Sequence, residues 1–402
     1  MTRFQRQRDS GEEQRATALE LFYDLVFVFA ITQVSHLLLD NLTWEGVGQA
    51  SLVLLVVWWA WNYTTWVTNE LDPDATAVRL LLMGIMLGSL VMAVAIPQAF
   101  GAHGLLFAGA YVAIQVGRHT FMTFVSADAG TIERERAGRI LTWLVAAGSL
   151  WIAGGLAEGS ERSVLWVAAL TVDYAAPFAL YWVPGRARLS ESSWSVEAGH
   201  FAERFQLFVI IALGETVVIS GTTTSELDLD IAVLTAFALA FLGTAALWWL
   251  YFSYVSTRVQ RRLELAANST RIARDAYTYL HVAIVGGIVL SAVGDELVIA
   301  HPTEVLPGAE LATVVAGPAL YLLAHVALRL RMTGTISGKR LTGAVACVAT
   351  AGVGLFAPAL VVAALLVGVL VTVIVVERIA ELRRRGRGEP SPLERLEASP
   401  SS

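Results

Sequence analysis

Runs of about 20 apolar residues follow one another along almost the whole of this 402-residue chain, separated by short polar loops. The hydrocarbon core of a bilayer is roughly 30 Å thick, which about 20 residues of α-helix cross. Inside it a helix satisfies its own backbone hydrogen bonds within the segment, and uninterrupted apolar runs of this length read as helices. The runs predict twelve spans near residues 19–39, 46–68, 77–99, 104–126, 137–157, 163–183, 199–220, 230–256, 273–293, 308–330, 341–356 and 358–376. A composition of 56% hydrophobic and 15% charged residues is too apolar for a soluble protein of this length. The expected fold is therefore all-α and polytopic.

Residues 1–18 are polar, but the run that follows has no small-residue cleavage pattern and is long enough to span, so it reads as a retained first helix. An even number of spans leaves both termini on one side. Of the 28 Lys and Arg, 25 fall on that side when helix-end residues are counted with their loops; Arg162 is opposite, and Arg118 and Arg204 lie within spans. Basic residues mark the cytoplasmic side, so both termini are expected there. The opposite loops collect acids, among them Asp40, Glu158, Asp228, Asp295 and Glu296. They either concentrate cations outside or are plain solvated loops. The tail 377–402 is basic and lacks apolar periodicity from Arg383 onward, which predicts disorder with an Arg cluster at anionic lipid head groups. The single cysteine, Cys347, excludes an internal disulfide.

The second six spans echo the first six in order. Glu20-Leu-Phe answers Glu203-Arg-Phe, and Trp58-Trp59 answers Trp248-Trp249. Tyr111 and Gln115 answer Tyr321 and His325, Gly138 answers Gly338, and the run from Leu165 answers that from Leu360. Six spans per unit is even, so the expectation is two parallel repeats, 19–183 and 199–376, joined by a cytoplasmic linker 184–198. A shared path would then run at their interface, and it would be asymmetric because Asp24 aligns with Leu207 and Glu215 with Thr32.

Asp24 lies inside the first run. A carboxylate at the centre of a spanning helix costs roughly 2.5–3.5 kcal/mol, so it usually faces protein or water and marks an ion, proton or substrate route. Glu20, Asp24, Ile31 and Ser35 share one helical stripe, and His200, Arg204, Ile211 and Glu215 repeat the arrangement in span 7. At 1.5 Å per residue Asp24 is about 8 Å above the cytoplasmic edge and Arg118 about 12 Å, with Arg79 starting span 3 on that side. Arg79 and Arg118 are therefore the expected partners of Glu20 and Asp24. The candidate path residues are Glu20, Asp24, Asn62, Asp173, Glu203 and Glu215; the charge partners are Arg79, Arg118 and Arg204; Ile31 or Ile211 would gate by dewetting. The competing reading is an ion-pair network that locks helices 1, 3 and 4 together. His36, His281 and His325 suit structural roles, and the tryptophans suit interface belts and packing.

Enzyme motifs are missing: no His-Glu-x-x-His, no Gly-x-Ser-x-Gly and no Walker-type loop occurs. Neither a metal nor a cofactor is expected, nor nucleic acid as a partner. The expected partners are the lipid bilayer and a small ion or solute.

The run Glu20-Leu-Phe-Tyr-Asp-Leu-Val-Phe-Val-Phe-Ala-Ile-Thr-Gln, with Glu203-Arg-Phe-Gln-Leu-Phe-Val-Ile-Ile-Ala-Leu-Gly-Glu, resembles the bacterial low temperature requirement A family. That resemblance implies a multi-span protein of the bacterial inner membrane linked to growth in the cold, without a settled substrate. Span 1 is also similar to the first helix of lysosomal potassium channels with a Phe-Ser-Asp motif and their bacterial relatives. Phe22 and Asp24 match the ends of that motif, Tyr23 replaces Ser, and Ala18 stands where the motif has Arg. This second resemblance implies six-span units with helix 1 lining a pore behind an apolar gate. The expected function is a transporter or channel-like protein for a small ion or solute. The alternatives are a non-transporting membrane protein that supports cold growth or the envelope, and a membrane-embedded lipid enzyme.

Overall fold

In the computed structural model, which describes Phe4 and residues 16–194, 196–253, 256–266 and 268–390, every extended element among those residues is helical. In chain order the helices are α1 (Ala18–Leu39), α2 (Trp44–Glu70), α3 (Thr76–Ala95), α4 (Gly104–Phe121), α5 (Ile132–Leu156), α6 (Gly159–Ala175) and α7 (Ala198–Ser225). They continue with α8 (Ile231–Phe252), α9 (Ser256–Glu264), α10 (Ser269–Ile272), α11 (His281–Ala300), α12 (Gly308–Thr333), α13 (Gly338–Gly354) and α14 (Ala359–Gly386). Wider π-helical turns extend α4 over Met122–Ser126 and join α10 to α11 over Ala273–Leu280.

Eight of the described helices are long and apolar enough to cross a bilayer: α1, α3, α5, α7, α8, α11 with its lead-in, α12 and α14. The protein is a helical membrane protein. Helix α2 is long but less apolar, because Asn62, Thr64, Thr65, Thr68 and Asn69 interrupt it, and all five are buried in protein. Its polarity serves packing against other helices, which hydropathy alone does not register.

The chain divides into two compact units, Met1–Leu37 with Gly48–Arg204, and Leu38–Val47 with Phe205–Ser402. The first turns of α7 thus belong to the first unit, beyond the linker expected from sequence. In the first unit α3 packs on α4, α4 on α5, and α5 on α6; in the second α11 packs on α12, α12 on α13, and α13 on α14. The α11 and α12 backbones approach closely through small residues. A Cβ on Gly317 would stand 2.5 Å from the Ser291 nitrogen, and one on Gly287 would stand 2.7 Å from the Tyr321 nitrogen. Where lipid is as apolar as leucine, such close backbone packing is a main source of helix association.

Several boundaries differ from the sequence reading. Helix α11 continues to Ala300 and takes in Asp295 and Glu296, which composition placed in an outer loop. The polar helix α9 replaces the end of the eighth run. Helix α14 starts just after Pro358, its N-cap, where the sequence breaks, but runs on to Gly386, so the first part of the basic tail is helical. Residues 391–402, the remainder of the expected disordered tail, and Arg3, Arg6, Arg8 and Arg15 of the N-terminal segment lie outside the described residues. The matched tryptophan pairs occupy unlike settings: Trp58 and Trp59 are buried, whereas Trp248 and Trp249 are 45% and 51% exposed.

Candidate functional site

The first unit contains two connected sets of buried polar side chains. In the first set, Glu20 and Asp24 on α1 and His200 and Arg204 on α7 each stand four residues apart, so each pair presents both members on one helical face. Arg204 Nη2 donates to Asp24 Oδ1 at 2.5 Å, and the Trp61 indole nitrogen on α2 donates to the same oxygen at 2.8 Å. Glu20 Oε1 lies 2.9 Å from His200 Nε2 and 3.7 Å from Arg204 Nη1. Its Oε2 accepts from the backbone and hydroxyl of Thr17, both at 2.9 Å, in a capping arrangement. His200 Nδ1 is 3.1 Å from the Asn69 amide nitrogen, and Asn69 also bonds the backbone of Glu197.

Asp24 and Arg204 are 0% exposed, and Glu20 is 1%. The enclosure is complete, yet Asp24 Oδ2 and Arg204 Nε and Nη1 form no hydrogen bond among the described residues. The guanidinium meets Asp24 through one nitrogen, without the two-bond fork that makes an Arg–carboxylate pair strongest.

The second set lies on α4, α5 and α6. Arg118 donates to Gln115 Oε1, to Thr64 Oγ1 at 2.9 Å and to the Ala60 carbonyl at 3.3 Å. Gln115 donates to the Tyr111 hydroxyl at 3.0 Å, and that hydroxyl donates to Asp173 Oδ2 at 2.9 Å. The Trp151 indole donates to the same oxygen, also at 2.9 Å. The Tyr23 hydroxyl, next to Asp24, donates to the Ala60 carbonyl that Arg118 uses, so α2 links the two sets.

The expected charge pairing is corrected by this geometry. Asp24 pairs with Arg204, and Arg118 binds neutral groups of α2 and α4. Arg79 makes an exposed pair with Asp74 at 2.6 Å, outside the cluster. Asp173 holds two neutral donors, the Tyr111 hydroxyl and the Trp151 indole. Glu203 accepts from the Ala16 backbone at 2.8 Å, beside the cluster. Asn62 and Ile31 are buried in the first unit; Glu215 is buried and Ile211 half-buried in the second unit. In this conformation Glu20 and Asp24 face protein. Arg162 is buried and staples loop carbonyls of Ala99 and Gly101 at 3.0 and 2.7 Å.

The family described as bacterial low temperature requirement A protein matches residues 15–375, which hold both sets of polar side chains. The chain belongs to that family. A relative from Rhizobium meliloti (strain 1021), itself described as uncharacterized, is 38% identical over 316 residues, covering 78% of this chain and 77% of the relative. No solved structure matches. In this low temperature requirement A protein, sequence reasoning set His200 on the Arg204 stripe without a role, and it missed Trp61, Tyr111 and Trp151 as members of the cluster. The i, i+4 spacing of His200 and Arg204, a copy of that of Glu20 and Asp24, is the signal that marks His200.

Proposed function

We propose that this protein carries a small ion or solute across the bacterial inner membrane as a transporter or channel-like protein, with the Asp24–Arg204 pair as a latch between α1 and α7. The observation that carries the reading is a fully enclosed ion pair with three of its polar atoms unbonded. A buried ion pair is a poor adhesive: replacing one by well-packed apolar residues is often neutral or stabilising by about 1–4 kcal/mol. Ionisable residues in spanning helices that are not needed for cohesion are by default functional. A latch with unsatisfied atoms has a second set of partners to gain when helices move, which is the physical requirement for a two-state element.

In this reading the chain crosses the membrane twelve times in two parallel repeats with cytoplasmic termini, and α2, α4, α6 and α13 join the eight more apolar helices. Recurrence of the same neighbour order in both units supports it. Asp173 and Glu215 are further candidate ion or proton sites, Ile31 and Ile211 candidate gates, and no enzymatic step is assigned. Purified protein in liposomes, assayed for potassium, sodium, proton and anion flux, tests this. Flux above empty vesicles that falls in Asp24→Asn or Glu215→Gln is expected; no flux of any of these would remove the transport reading.

The complete burial of Asp24 and Arg204 also favours a second reading, a non-transporting protein whose charges only hold helices together. That reading predicts that exchanging the two residues restores everything either single change loses.

A further inference from the structure

In the second unit, α8, α11, α12 and α14 line a cavity of about 40 Å³. One water needs about 10–15 Å³ on this measure, so there is space for an ion with part of its hydration shell. Among the lining side chains Asp295 is the sole charged one, and no Lys, Arg or His accompanies it. Among the described residues Asp295 makes no hydrogen bond or ion pair, and it is half-buried.

Three further oxygens belong to residues that line the same cavity. Ser291 is one turn before Asp295 on the same face of α11, and its hydroxyl proton is committed to the Gly287 carbonyl at 2.9 Å, which leaves the oxygen as an acceptor. Thr244 on α8 lies across the cavity, its hydroxyl 2.6 Å from that of Thr216. Pro318 on α12 has no N–H to give the carbonyl of Val314 one turn earlier, and both residues line the cavity. The remaining lining side chains are aliphatic. Carboxylate, hydroxyl and freed helix carbonyl are the oxygen set that coordinates monovalent cations in membrane helices. A single carboxylate balances one positive charge, whereas a divalent ion would leave a net charge in an apolar surround.

We infer that this cavity is a binding site for a small monovalent cation, with Asp295 supplying the charge and Ser291, Thr244 and the Val314 carbonyl supplying neutral oxygens. The site shares no residue with the Asp24–Arg204 pair and is read by binding, without flux. Its failure and that of the transport proposal are therefore distinguishable.

The test is thermal unfolding of the full-length protein in detergent in sodium, potassium or choline chloride at equal ionic strength. Sodium or potassium is expected to raise the Tm saturably over choline. Asp295→Asn is expected to abolish the rise, while Glu304→Gln, an exposed acid, leaves it intact. Thr244→Val and Ser291→Ala are expected to raise the half-saturating concentration about fivefold, the equivalent of one lost polar contact. These two variants carry the test if Asp295→Asn does not fold. Equal Tm values in all three salts would overturn the assignment. So would a rise that survives in Asp295→Asn, or in both hydroxyl variants at unchanged half-saturation.

Discussion

Removing Arg204 is the most informative single perturbation of the cluster. Its guanidinium is 0% exposed, 2.5 Å from Asp24 and 3.7 Å from Glu20. Arg204→Met therefore leaves two enclosed carboxylates, Glu20 with His200 beside it and Asp24 with only the Trp61 indole. Breaking a buried pair from one side typically costs about 3–5 kcal/mol, and this substitution should sit in that range. Asp24→Asn is milder. The substituted amide oxygen still accepts from Trp61, and Arg204 keeps Glu20 as its counter-charge, so the loss is that of a charged hydrogen bond, about 1–3 kcal/mol. The double variant removes one charge of each sign together and should cost no more than Asp24→Asn alone. The coupling between the two sites is then about 3–5 kcal/mol, large against the few tenths expected of independent positions. Reversible unfolding of the purified protein in mixed micelles, measured for the wild type, both single variants and the double, completes the cycle. A double variant as unstable as the sum of the singles would refute the pairing.

Two further predictions concern a buried hydroxyl in the first unit and glycine packing in the second. Tyr111→Phe deletes the hydroxyl that Asp173 and Gln115 share and should destabilise by about 1–3 kcal/mol in the same assay, while Thr171→Val, whose hydroxyl bonds only its own exposed helix, stays within about 0.5 kcal/mol. Gly317→Ala drives a methyl against the α11 backbone and should cost about 1–3 kcal/mol, whereas Gly214→Ala, with open space around it, should be neutral or stabilising.

The apolar runs made the helices legible, because length and hydropathy are properties of a segment by itself. The same run placed Asp24 against protein or water, because a carboxylate facing lipid is costly, and left the choice between the two open. The identity of the cation was not legible. Depth arithmetic ranks partners along the membrane normal, and Arg118 has a suitable depth, but lateral position decides the pairing, and Arg118 is spent on Thr64, Gln115 and the Ala60 carbonyl. A search for opposite charges also passes over Asp173, whose partners are a phenol and an indole. Asp295 was taken for a loop acid because the apolar run ends at Val293, yet the helix continues for two more turns and turns that carboxylate toward a cavity. Tryptophan repeats misled in the opposite sense, since Trp248-Trp249 copies Trp58-Trp59 in letters but not in burial.

Whether the Asp24–Arg204 pair serves motion or cohesion is separated by one comparison. Ion flux is measured in liposomes carrying either the wild type or the Asp24→Asn, Arg204→Met double variant, whose fold the stability cycle checks. A transporting wild type and a double variant at least tenfold slower, with stability retained, is the predicted result. Equal flux from the two proteins would contradict it.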